Sequence, residues 1–299
     1  MNIKSKLSML IFASVASLSI GKSISYAEEL TVALAAEPTS MDPHYQNLTI
    51  NNSMATQIYD ALVLQDVNQN LIPGLAVSWK PVDENTWEFK LRRDVTFHNG
   101  AKFSAEDVIA TMKRAANVPN SPSSFATFTK GKTFEVVDDY TIQVSTEKTN
   151  PFIPNDMSRI SIIDSAFINA TTEDFNTGVA AHGTGPFILS KWLPGDQLKL
   201  VRNNDYWGSV VDWNNVNVRP ISDGTTRTAA LIAGDVDFIE RVPSSDLPLV
   251  EKRSGLRVFK SVSNRMLYLT LHMTEKPIRP YVTDNNGNAI ASPFMDVRV

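Results

Sequence analysis

Two patterns that demand different kinds of neighbour stand side by side in this chain, and any fold must satisfy both. Trp87, Phe89 and Leu91 alternate with Glu88 and Lys90, the period-two signature of a strand with one buried face. Asn99-Gly100 then supplies a tight turn, because glycine tolerates positive φ. A helix signal follows Phe103: Ser104 can accept a hydrogen bond from a free amide of the first turn, and Glu106 and Asp107 suit the positive end of the helix dipole. Val108, Ile109, Met112 and Ala115 form its apolar stripe, Lys113 and Arg114 sit near its negative end, and Pro119 and Pro122 prevent its continuation. A half-buried strand needs a sheet, and an amphipathic helix needs a face to lie on. Together they predict a layered α/β or α+β domain.

The same mixture runs along the rest of the chain. Leu30, Val32 and Leu34 read as a strand, Pro38 and Pro43 bracket a loop, and Met54, Ile58, Ala61 and Leu62 recur at helical spacing between Asn52 and Leu62. Glu135 to Val144 reads as two strands around Asp138-Asp139, and Phe187 to Leu189 with Gln197 to Val201 as an antiparallel pair around Pro194-Gly195-Asp196. Thr225 to Ala233 reads as a helix ended by Gly234, with a strand from Val236 to Ile239. These elements predict a mixed sheet.

The ends carry a different message. Lys4 and Lys6 precede an apolar stretch, Leu7 to Ile20, and Ser25-Tyr26-Ala27 places small residues where a signal peptidase inspects the chain. That order predicts a secretory signal over residues 1–27, cleaved after Ala27 and too short to span a bilayer. The formal net charge is −4, and losing Lys4, Lys6 and Lys22 makes it more negative. An acidic chain has no broad electrostatic reason to bind nucleic acid or an anionic membrane. There is no cysteine, hence no disulfide, thiolate metal site or lipid-modified cysteine, and the fold must hold by core burial. These features predict a soluble periplasmic protein, not a lipoprotein.

Signatures of catalysis are missing from the sequence. His44, His98, His182 and His272 stand far apart, with no metal-ligand spacing, and no Gly-x-Ser-x-Gly occurs. Gly183-Thr184-Gly185 begins like a dinucleotide fingerprint, but Pro186 follows and no third glycine opens a helix. The neighbouring carboxylates Glu106/Asp107 and Glu173/Asp174 read as solvated faces. Tyr45, Tyr59, Trp79, Trp192, Tyr206, Trp207 and Trp213 suit either a core or a ligand cleft. The expectation is a binding protein without cofactor or metal; an exported hydrolase is the alternative.

Four blocks in one order carry a resemblance. They are Glu37-Pro-Thr-Ser-Met-Asp-Pro43; Gly74 to Trp79 with Trp87 to Arg92, Val95 to Gly100 and Phe103 to Val108; Gly183-Thr-Gly-Pro-Phe187 with Trp192, Pro194 to Asp196 and Arg202 to Gly208; and Arg227 with Ala230-Leu231 and Gly234-Asp-Val-Asp237. From about residue 30 onward the chain resembles the family 5 extracellular solute-binding proteins, receptors of dipeptide, oligopeptide and nickel ABC importers. The resemblance implies a type II periplasmic-binding-protein-like α/β fold of two lobes, with an extra subdomain in the first. It implies capture of a peptide or peptide-like small solute for ABC permease subunits of the inner membrane, by a monomer. By analogy, the cleft would be faced by His44, Tyr45 and Gln46 and by the turn of Gly183, Thr184, Gly185 and Phe187. For the two glycines, close approach to a neighbouring strand is an equal expectation. Arg202 to Gly208 reads first as a packed corner anchored by Tyr206 and Trp207.

The expected organisation is a first lobe over residues 28–265, with residues of about 60–180 as the extra subdomain, then hinge and start of a second lobe over 266–299. The chain stops at Ser292-Pro-Phe-Met-Asp-Val-Arg-Val299, inside a block that the family continues. The expectation is a truncated receptor with its second lobe largely missing, or else a half-receptor acting as an interaction protein.

Overall fold

The computed structural model describes residues 29–261, 267–271, 273 and 282–295. The proposed signal segment and His272 lie outside the described residues. The chain divides into two compact units, one reaching Ser254 and the other beginning at Gly255.

The first unit is built on two sheets. Strand β1 (Glu29–Leu34) is followed by helix α1 (Thr49–Ile58), the short ladder β2 (Val63–Gln65) and β3 (Leu71–Pro73), then β4 (Ala76–Pro81) and β5 (Thr86–Leu91). Helices α2 (Ala105–Ala115) and α3 (Ala126–Thr129) lead to the hairpin β6 (Lys132–Asp138) and β7 (Thr141–Thr146). After α4 (Ile153–Met157) and α5 (Thr172–Asn176) comes the hairpin β8 (Phe187–Leu193) and β9 (Gln197–Arg202). The unit closes with β10 (Asn215–Pro220), α6 (Gly224–Ala233), β11 (Phe238–Ile239) and α7 (Leu247–Glu251).

The larger sheet has the order β11-β1-β10-β9-β8, with β1 parallel to both β10 and β11 and the other pairs antiparallel. Its two faces are covered differently. Leu34, Val216, Val218, Leu198 and Leu200 pack with Ala55, Ile58 and Tyr59 from α1 and just beyond it. On the opposite face Ala33 and Ile239 pack with Ala230 and Leu231 of α6. The chain therefore leaves β1 toward one face and β10 toward the other. The gap beyond the carboxyl ends of β1 and β10 is a topological switch point, where open α/β sheets place their ligands. Arg227, 3% exposed, fastens this edge by donating to the carbonyls of Ile221, Ser222, Glu240 and Arg241.

The second sheet, β4-β5-β7-β6, is antiparallel throughout. Phe89, Leu91, Ile142 and Val144 form its inner face against Val108 and Met112 of α2, with Phe103, Phe125, Ile153 and Met157 closing a second core. Gly100 takes the positive φ of 85° that the Asn99-Gly100 turn requires.

Several sequence expectations shift in detail. The first helix covers Thr49–Ile58 rather than Asn52 to Leu62, and Ala61 instead bridges Ser161. At the start of α2 Ser104 and Asp107 cap each other: the Ser104 side chain accepts from the Asp107 N–H, and the Asp107 carboxylate accepts from the Ser104 N–H at 2.8 Å. Asp107, however, is no solvated residue. It is 3% exposed, because its second oxygen also accepts from the Ser165 N–H at 2.8 Å. Ile109 is only half-buried, and Arg114 turns inward instead of sitting at the solvated helix end.

In the second unit the described residues include a bridge between Thr283 and Ala289. Asp284 organises that turn by accepting from the N–H groups of Asn286 and Asn288.

Candidate functional site

The loop that leaves the carboxyl end of β1 forms one wall of a hollow of about 860 Å³. Thr39 and Tyr45 come from this loop, Lys113, Arg114, Asn117 and Asn120 from the end of α2 and the turn after it, and Asn169 to Glu173 and Asn176 from the segment entering and forming α5. The lining is mainly amides, hydroxyls and isolated charges, with Val118, Pro119 and Ile168 as apolar patches. Its volume falls within the usual range of small-molecule sites, ~300–1,000 Å³.

The loop is shaped from inside by a buried charge cluster. Asp42 is 1% exposed and Arg114 7%. The guanidinium grips the carboxylate with both ends, Nη1 to Oδ1 and Nη2 to Oδ2 at 2.8 Å each. This bidentate fork is the strongest geometry available to such a pair. Arg114 also lies over the Phe175 ring at 4.4 Å and donates to the Ala170 carbonyl at 3.2 Å. Thr172 donates its hydroxyl to Asp42 at 2.9 Å. Burial pushes the Asp42 carboxyl upward, but the hydrogen bonds and charge of Arg114, aided by His44, outweigh it and hold the group below the ordinary aspartate value.

His44 completes the cluster. Its Nε2 lies 2.8 Å from the Ser161 carbonyl and its Nδ1 3.1 Å from Arg114 Nη1. Those partners require a neutral ring that donates from Nε2 and accepts at Nδ1. Burial first, then the neighbouring guanidinium, lower its pKa to about 4.

The seven residues singled out in the sequence fall into two places. His44 is fully buried behind the loop, while Tyr45 and Gln46 are half-exposed. Tyr45 lines the hollow, and Gln46 accepts from the Thr39 hydroxyl at 2.7 Å. Gly183, Thr184, Gly185 and Phe187 lie elsewhere. Phe187 pairs with Arg202, and Val201 with Asn215 at the start of β10, so this turn is at the amino edge of the sheet. Thr184, with no exposure, donates to Asp60 at 2.9 Å. Each glycine meets the end of α1: a Cβ at Gly183 would sit 1.9 Å from the Ile58 carbonyl oxygen, and one at Gly185 2.6 Å from its carbon. The close approach that these glycines make here is to the chain's own backbone at the end of α1.

His98 clasps the same turn, its N–H donating to the Gly183 carbonyl and its Nε2 lying 3.0 Å from that of Gly185. Burial lowers its pKa to about 4, against a smaller opposing effect of the Gly185 carbonyl. Tyr206 and Trp207 form the packed corner, Trp207 donating from Nε1 to Asp60 at 2.8 Å with Arg92 stacked on its ring at 4.1 Å.

Arg114, Asp42 and Asn176 were not singled out in the sequence as site residues. A signal for Arg114 existed: Asp107, Thr111 and Arg114 recur at i, i+4 and i+7, a polar line beside the apolar stripe of α2. All three are buried. Among the described residues no cluster of His, Cys, Asp and Glu could hold a metal ion.

A mixed sheet packed on both faces, with a hollow walled in part by the loop after its first strand, is an α/β architecture that periplasmic binding proteins share. Comparison with known proteins agrees. The family model described as "Bacterial extracellular solute-binding proteins, family 5 Middle" matches residues 70–299, and the chain belongs to that family, whose members are binding proteins and not enzymes. The glutathione-binding protein GsiB of Escherichia coli O1:K1 is 27% identical, over 90% of this chain and 53% of that protein. Among solved structures, the periplasmic binding protein DppA of Helicobacter pylori in complex with the peptide STSA is similar at 25% identity and a TM-score of 0.68, covering 76% of this chain and 49% of that one. A nickel ABC transporter protein of Bacillus halodurans is similar at 30% identity and a TM-score of 0.65, covering 77% and 46%. The chain spans about half the length of the curated relatives it matches.

Proposed function

We propose that this chain supplies the first-lobe wall of a periplasmic receptor that captures a peptide or peptide-like small solute for the permease of an ABC importer. The observation that carries the reading is the hollow, with Thr39 and Tyr45 entering it from the loop after β1. Its amide and hydroxyl lining suits the repeated donors and acceptors of a peptide backbone. GsiB, by its name, binds glutathione, and DppA was solved with a tetrapeptide; both ligands are peptide-like.

In this reading Tyr45 and Gln46 face the solute, and His44 holds the loop from behind. Gly183, Thr184, Gly185 and Phe187 contribute by setting where α1 ends. Residues 28–265 act as the first lobe, and the core running from Leu62 to Ile162 is the extra subdomain of about 60–180. Residues 266–299 begin the hinge and second lobe. The protein is exported by a signal cleaved after Ala27, without a lipid anchor, and works as a monomer.

Isothermal titration of residues 28–299 with the tetrapeptide Ser-Thr-Ser-Ala, reduced glutathione, a nickel–histidine chelate and a disaccharide tests the reading. Heat with the tetrapeptide or glutathione, lost on Tyr45→Ala, is expected. Heat with the chelate or sugar alone, or with none of the four, overturns it.

A further inference from the structure

We infer that Arg114 is the positioning residue of the hollow: one buried guanidinium sets the placement of three chain segments that are far apart in sequence and form its walls. The inference rests on reading the hollow as the solute wall, and it adds the element that gives the wall its shape.

The three segments are the loop from Thr39 to Tyr45, the carboxyl end of α2 with the turn to Asn120, and the stretch from Ile168 to Asn176. Arg114 belongs to the second and touches both others. Toward the loop it donates to both Asp42 oxygens and lies 3.1 Å from the His44 ring nitrogen. Toward the third segment it donates to the Ala170 carbonyl and covers the Phe175 ring. These bonds use four of the five N–H groups that a guanidinium offers, all in one plane. No flexible ammonium could reproduce that fan, because lysine presents a single point of charge.

The loop and the third segment are also tied directly, and those ties depend on the same register. Thr172 donates to Asp42, and the Asn176 side-chain oxygen accepts from Ser40 Oγ at 2.8 Å and from the Met41 N–H at 2.9 Å. Below Arg114 the polar line of α2 continues as a seam against residues 161–165. Thr111 accepts from the Ile163 N–H at 3.0 Å, Asp107 accepts from the Ser165 N–H, and His44 reaches the Ser161 carbonyl. The seam fixes α2 on its support, so Arg114 projects from a fixed base. An ordinary helix would bury apolar groups here. A polar seam costs desolvation unless every member is satisfied, and what it gives in return is one specific register between the walls.

The test is amide hydrogen exchange on the full chain, followed by mass spectrometry. The paired change Asp42→Asn with Arg114→Gln removes both charges together, so no isolated ion is left in the interior. Exchange is expected to rise about tenfold or more in both residues 39–47 and residues 168–176, while β5 and β7 keep their wild-type protection. Arg114→Lys, which keeps the charge without the fork, is expected to fall between. A rise in only one of the two segments, a rise in neither, or a uniform rise that includes β5 and β7 overturns the inference. Because exchange is read without solute, its outcome is separate from the titration: a chain that binds no tetrapeptide defeats the proposed function and leaves this measurement intact.

Discussion

Asp42 and Asp60 are almost equally hidden from water, at 1% and 5% exposure, yet their surroundings drive them in opposite directions. Burial raises both carboxyls. At Asp42 the bidentate bonds and charge of Arg114 outweigh it and the pKa is lowered. At Asp60 burial prevails over the neutral donors Trp207, Thr184 and Tyr206 and over the charge of Arg92, and the pKa is raised. A buried carboxylate that meets a cation stays ionised and can bind segments tightly together. One whose hydrogen bonds come from hydroxyl and indole groups has its ionised form disfavoured by burial. The first lies behind the hollow, and the second lies behind the Gly183 to Gly185 turn at the far edge of the sheet. Inspection of burial alone would rank them as equals.

The largest expected effect breaks the charged cluster from one side. Arg114→Met leaves Asp42 buried without its cation, and removing one partner of such a pair costs about 3–5 kcal/mol. Urea unfolding of the variant at neutral pH checks it. A loss near 1 kcal/mol, the ~0–1 kcal/mol scale of a surface pair, would show that water reaches Asp42 and that the cluster is not sealed.

Acid sharpens the same comparison. His44 is neutral in the fold, with a pKa near 4 against an ordinary 6.5. In the range between those values the unfolded chain binds a proton that the folded chain refuses. The contribution is therefore complete above pH 6.5 and is lost as pH falls toward 4, by an amount on the order of 3 kcal/mol. Asp42 acts with the same sign but later, since its lowered value places the loss below the ordinary aspartate range. His98, also lowered to about 4, adds a parallel component from the other edge of the sheet. Unfolding midpoints measured from pH 7 to pH 4 should fall steadily, and His44→Gln should flatten the slope without abolishing it. An unchanged slope in that variant would place the proton uptake elsewhere.

The sequence made the elements legible wherever a single chain segment carries its own reason. The alternation around Phe89, the turn at Gly100, the end of α6 at Gly234 and the β8–β9 hairpin are local matters of period and backbone freedom, and each is found where the pattern places it. Tyr45 was named through the family resemblance and not through any local pattern, and it lies in the lining of the hollow. What stayed hidden were choices made by distant partners. Arg114 sits in a helix position that suits the dipole equally well, and nothing near it in sequence announces Asp42, seventy-two positions away. Asp107 looked solvated because its second partner, Ser165, belongs to another segment. Gly183 and Gly185 did signal a close approach, but the identity of the approaching group, the backbone at Ile58, is a tertiary fact.

The smallest expected effect tests the neutral side of the comparison. Thr184 and Trp207 both donate to Asp60 Oδ2, at 2.9 and 2.8 Å, whereas Tyr206 lies 3.4 Å from Oδ1. In Asp60→Asn the amide carbonyl can take the Oδ2 position and keep the two short bonds. Its NH₂ group then faces the Tyr206 phenol oxygen, which can accept in place of donating. Only the long bond is exchanged, so the cost should stay near or below ~1 kcal/mol. The variant also removes a pH component of opposite sign to that of His44. A carboxyl with a raised pKa makes the fold more stable as pH falls through that value, and asparagine cannot. Asp60→Asn should therefore lie closest to wild type at neutral pH and fall further behind as the solution is acidified. If instead it costs as much as Arg114→Met at neutral pH, the Asp60 charge is stabilised in the fold by Arg92 more than burial penalises it, and the two clusters are of one kind.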